Sequence, residues 1–117
     1  MRFDLEQKLE LVVGTKCGKI CIYSNIETGS INFTFIKVST HPIVDLIFSS
    51  IEGAVFVLAQ NATIYMVDTQ KKQVAYQFLA SLPLIEDKEV YLFMDDSEDF
   101  ICCAFGHGKI IVWEITT

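Results

Sequence analysis

Gly108-Lys109-Ile110-Ile111-Val112-Trp113 is the third copy of a short pattern that decides how this chain is read. The first copy is Gly18-Lys19-Ile20-Cys21-Ile22-Tyr23 and the second is Ala62-Thr63-Ile64-Tyr65-Met66-Val67. The isoleucines at 20, 64 and 110 lie 44 and 46 residues apart. Upstream of each copy runs an apolar, β-branched segment: Leu11-Val12-Val13, Val55-Phe56-Val57-Leu58 and Ile101-Cys102-Cys103-Ala104. Before each of these comes a strand end and a polar turn: Phe3-Asp4-Leu5-Glu6-Gln7-Lys8, Phe48-Ser49-Ser50-Ile51-Glu52-Gly53 and Met94-Asp95-Asp96-Ser97-Glu98-Asp99. After the first two copies, turns at 24–29 and 68–73 lead into Ile31-Asn32-Phe33 and Val74-Ala75-Tyr76. Short β-branched and aromatic runs broken by Gly, Asn, Asp and Ser read as antiparallel hairpins. No window sustains a capped helical stripe.

A four-strand unit repeated at this period is expected of propeller blades. The chain resembles the WD-repeat family over essentially its whole length. Val67-Asp68 and Trp113-Glu114 stand at the family's Trp-Asp position, with Tyr23-Ser24 a third copy. Ile43-x-x-Leu46-x-Phe48-Ser49 matches the family's first strand and its exit turn. Only Trp113 keeps the tryptophan, and the Asp usual in the middle hairpin turn is replaced by Cys17, Asn61 and His107. The expected fold is all-β: antiparallel four-stranded blades of an incomplete β-propeller. Residues 1–38 form a blade lacking most of its first strand, 39–82 a complete blade, and 83–117 a blade lacking its fourth. The middle sheet is expected at about residues 43–48, 54–59, 63–68 and 73–78. About 2.7 blades fall short of the roughly 4–8 that close a ring, so the chain reads as the C-terminal portion of a larger propeller.

Composition agrees with a folded domain. The 117 residues are 51% hydrophobic, enough for one core. The net charge of −6 argues against direct binding of nucleic acid or an anionic membrane surface. The deficit is local: residues 86–99 carry seven carboxylates against Lys88 alone. No apolar run approaches the roughly 20 residues of a membrane helix, and Met1-Arg2-Phe3-Asp4-Leu5-Glu6 lacks the apolar core of a signal peptide. The expected location is the cytoplasm or nucleus, with reduced thiols.

Candidate chemistry is sparse. Cys17 and Cys21 have a zinc-like spacing, but Cys21 lies inside a strand, and the neighbours Cys102 and Cys103 point to opposite faces of another. Buried reduced thiols are expected instead. Gly14-Thr15-Lys16-Cys17-Gly18-Lys19 is a truncated phosphate-loop pattern that enters a strand, so no helix N-terminus meets a phosphate. His41 precedes Pro42 in a connection and has no nucleophile beside it. Asp95-Asp96-Ser97-Glu98-Asp99 lacks the glycine and the distal glutamate of a calcium loop. No cofactor, metal or small-molecule substrate is therefore expected.

The loop Leu79-Ala80-Ser81-Leu82-Pro83-Leu84-Ile85 is more apolar than a connection requires. It either tucks against its blade or presents Leu82, Leu84 and Ile85 to a partner. With Asp95, Asp96, Glu98 and Asp99 these residues form the candidate partner-binding set, an apolar anchor with a charged rim. Two readings of function stay open. One is a non-catalytic protein–protein interaction scaffold, not an enzyme, whose partners are other protein chains or the rest of a longer chain. The other is a fragment of an enzymatic or ligand-binding propeller whose site lies in blades outside this sequence.

Overall fold

The structure, a computed structural model, describes residues 2–4, 10–24, 29, 31–49, 53–78, 85, 89–95, 97–106 and 108–115. The described residues are all-β, without a helix, and their eleven strands form three antiparallel sheets. The first sheet has the order β1 (Arg2–Asp4), β2 (Glu10–Gly14), β3 (Lys19–Ser24) and β4 (Asn32–Lys37). The middle sheet runs β5 (Ile43–Phe48), β6 (Ala54–Ala59), β7 (Ile64–Asp68) and β8 (Gln73–Phe78). The third holds β9 (Val90–Met94), β10 (Phe100–Phe105) and β11 (Ile110–Glu114). The middle sheet lies where the repeat puts it, one residue shorter at the start of β7.

Each sheet keeps its strands in chain order, and the β6–β7 and β7–β8 connections are tight turns with the residues such turns need. The Asp68 Oδ1 accepts the N–H groups of Gln70 and Lys71, both at 3.0 Å, and closes the β7–β8 turn. The β6–β7 hairpin turns through Ala62, held at φ 63°, while Asn61 Oδ1 accepts the Thr63 N–H at 3.3 Å.

Alternation along the strands then decides the packing. One face of the first sheet, with Val12, Ile20, Ile22 and Ile36, packs on Leu46, Val55, Val57, Tyr65 and Val67 of the middle sheet. The opposite face of the middle sheet, with Ile47, Phe56, Leu58 and Ile64, packs on Leu92, Ile101, Cys103 and Trp113 of the third. The middle sheet is thus covered on both sides, which is why all six residues of β6 are buried. Continuous burial of this kind turns an alternating strand into the unbroken apolar run Ala54-Val55-Phe56-Val57-Leu58-Ala59.

The sheets approach most closely along their first strands: β5 lies against β1 and β2 on one side and β9 on the other. Backbone bonds repeat across the two junctions. Thr15 O accepts from Ile43 N at 2.9 Å, and Gln60 O accepts from Ile85 N at 2.7 Å. In both cases a β-hairpin of one sheet holds the segment that enters the next.

Candidate functional site

Three parts of the surface carry candidate chemistry: the acidic turn at 95–99, the hairpin turn at 15–18, and the outer faces of the first and third sheets.

In the acidic turn, Asp95 Oδ1 accepts the Phe100 N–H at 3.0 Å, and the Asp95 carbonyl accepts the Glu98 N–H at 3.0 Å. The Ser97 hydroxyl donates to the carboxylates of Asp95 and Asp99. The Ser97 hydroxyl first, and then the Phe100 amide, holds the Asp95 carboxyl below the usual carboxylate range. Glu98 sits at φ 59° and its Oε1 accepts from Ser49 Oγ at 2.9 Å, which ties the turn to the middle sheet. The carboxylates of Asp95, Glu98 and Asp99 are thus engaged in building the turn.

Ile85 is placed differently from a partner-facing anchor. It is 6% exposed and packs in the core between the middle and third sheets, so of the two readings of its loop the tucked one holds at this residue. The physical reason is the short bond from its N–H to Gln60 O, which draws the segment inward beside Ala62 and Ile64. Leu82, Leu84 and Asp96 lie outside the described residues. The structure therefore does not bring Ile85 together with Asp95, Glu98 and Asp99 as one exposed anchor and rim.

In the 15–18 turn, the exposed Cys17 Sγ lies 3.2 Å from Thr15 Oγ1, which also donates to Lys19 O at 2.8 Å. The Thr15 hydroxyl is the main cause of a thiol pKa below its ordinary value. Cys21 and Cys103 are buried, and Cys102 lies on the face opposite Cys103. His41 N donates to Ser39 Oγ at 3.0 Å, so the residue serves the connection it sits in.

Two features escape a reading of the sequence. The first is Asp45, a carboxylate inside the apolar strand Ile43-Val44-Asp45-Leu46-Ile47-Phe48. Its Oδ1 accepts from Leu46 N at 2.9 Å, and its Oδ2 accepts from Leu92 N at 2.8 Å in the next sheet. β9 is an edge strand of the described sheet, and alternate amides of an edge point away from its partner strand. Asp45 meets one of them. The lone acid within an apolar strand was the available signal.

The second feature is the pair of outer faces. On the third sheet, Tyr91 and Phe93 stand beside Cys102, Ala104, Ile110 and Val112 in one register. Tyr91 and Ile110 are each 60% exposed and Val112 56%. On the first sheet, Phe33 is 62% exposed and Phe35 57%, with their rings edge-to-face at 5.8 Å and Tyr23 tilted against Phe33 at 6.2 Å. Exposed apolar rows of this extent on regular sheet faces are the surface pattern of an interaction site. No protein-family model matches the chain, and a search of the curated proteins finds no match.

Proposed function

We propose that the chain is a segment of an incomplete β-propeller of the WD-repeat kind that acts as a non-catalytic scaffold, holding protein chains together within a complex in the cytoplasm or nucleus. The observation that carries this reading is the pair of apolar outer faces, marked by Phe33 and Phe35 at one end and by Tyr91, Phe93, Ile110 and Val112 at the other. Large apolar and aromatic side chains in contact with a partner supply most of an interface's energy. The propeller part of the reading draws support from the 44- and 46-residue period and from the close approach of β1, β5 and β9, the first strand of each sheet. Strands that meet on one side while the later strands lie further out are what blades around an axis require. The acidic residues 86–99 would then lend an electrostatic preference for a basic partner, chiefly by steering its approach.

Purification from cells with mass measurement tests the proposal. The chain should run above its own 13.2 kDa with at least one further polypeptide, and Phe93→Glu should release that polypeptide. A 13.2 kDa species on which Phe93→Glu has no effect would refute it.

A further inference from the structure

The two internal junctions of the molecule are built alike. In the middle sheet, Val55, Val57, Tyr65 and Val67 face the first sheet. One period on, Ile101, Cys103, Ile111 and Trp113 of the third sheet face the middle one. One period back, the same positions are Leu11, Val13, Cys21 and Tyr23, on the face of the first sheet that carries Phe33 and Phe35; Cys21 is already buried there and the other three half-buried, so Phe33 and Phe35 are the open part of that face. The reverse faces follow the same rule. Val12, Ile20 and Ile22 of the first sheet and Phe56, Leu58 and Ile64 of the second are each buried by the sheet that follows. Their counterparts in the third sheet are Cys102, Ala104, Ile110 and Val112, on its outer face. The molecule therefore presents, at its two ends, the two halves of a junction it already makes twice internally.

We infer that the occupant of these faces is a second copy of this chain, bound head to tail, the outer face of the third sheet in each copy packing on the outer face of the first sheet in the other. The inference rests on the propeller reading and names its partner. Ring size supports two copies. Two chains of three sheets give six, within the roughly 4–8 of closed propellers, whereas three chains give nine. Area supports it as well. Aromatic side chains offer about 150–250 Å² each, so Phe33 and Phe35, at 62% and 57% exposure, give the first-sheet face roughly 250 Å², and Tyr91, Phe93, Ile110 and Val112 give the third-sheet face roughly 400 Å². The four faces of a closed pair then bury about 1,300 Å², within the roughly 1,200–2,000 Å² of specific interfaces. A heterologous contact that closes after two copies also leaves no free face from which a filament could grow.

The test is the mass of the purified 117-residue chain by light scattering, for the parent and two variants at exposed positions, Phe33→Glu on one face and Val112→Lys on the other. The parent should be a dimer at twice 13.2 kDa, each variant alone should be a monomer, and an equimolar mixture of the two should return to a dimer, because one native junction survives between them. A dimer that withstands either single variant would overturn the head-to-tail arrangement, and open-ended oligomers would overturn closure by two. A monomeric parent would overturn the second copy as occupant, and binding of anilinonaphthalene sulfonate then separates the remaining cases. Dye bound by the parent and lost in both variants leaves the faces to a different protein. No dye and two silent variants would overturn the scaffold reading too.

Discussion

Replacing Asp45 with alanine should loosen the junction between the middle and third sheets. The Asp45 carboxylate accepts two backbone N–H groups, from Leu46 at 2.9 Å and from Leu92 at 2.8 Å, and the second crosses between sheets. A hydrogen bond to a charged group contributes about 1.5–3 kcal/mol net, and a buried donor left without an acceptor costs about 1–3 kcal/mol. Leu92 is only 3% exposed, so water reaches its amide poorly; Asp45 itself is half-buried, which favours the lower part of these ranges. The expected loss is about 2–3 kcal/mol. With an unfolding entropy of roughly 2.1 cal/mol/K per residue over 117 residues, that loss lowers Tm by about 8–12 °C. Asp45→Asn keeps one acceptor oxygen and should lose about half as much. Trp113, the single tryptophan, is buried in the same junction and reports unfolding by fluorescence. Protein concentration is held fixed, because any self-association would shift Tm. Amide exchange at Leu92 should accelerate in Asp45→Ala. A Tm within about 2 °C of the parent, with Leu92 equally protected, would refute the argument.

Gly18 and Gly108 both occupy positive φ, at 83° and 99°, but only Gly18 is enclosed: a Cβ there would run into Ser39 O and lie 2.8 Å from His41 O. Gly18→Ala should cost more than about 2 kcal/mol and Gly108→Ala about 1 kcal/mol, read from urea midpoints; equal costs would contradict the placement of the 39–41 segment. The lowered pKa of Asp95 sets the sign of a pH effect, since a carboxyl with a depressed native pKa stabilises fully above its unfolded value and loses that contribution as pH falls through the native one. The stability difference between the parent and Asp95→Ala should hold steady from neutral pH down to about 4 and shrink below it, and a difference that grows on acidification would refute the bonding at Ser97 and Phe100.

The existence of the strands and their grouping into three antiparallel sheets were legible in the sequence because both depend on local properties. Period-2 alternation, β-branched content and turn residues act over four to eight residues, and a repeat exposes them three times over. Glu10–Gly14, Ala54–Ala59 and Phe100–Phe105 follow one another at that period. Burial was not legible, because it depends on neighbours far away in the chain. β4 carries apolar residues on both faces, and only the stacking of the middle sheet selects Ile36 for the core and leaves Phe33 and Phe35 outside. In β9, Val90-Tyr91-Leu92-Phe93-Met94 reads as apolar throughout, yet Val90 and Leu92 are buried while Tyr91 and Phe93 face out. Ile85 was ambiguous for the same reason, and its bond to Gln60 O, across 25 residues of chain, resolved it. Asp45 shows the limit most sharply: a carboxylate in an apolar strand can be a surface residue or a bridge, and only the arrival of the Leu92 N–H from the next sheet makes it a bridge. Local chemistry determined the elements; tertiary packing alone decided which of their two faces each would hide.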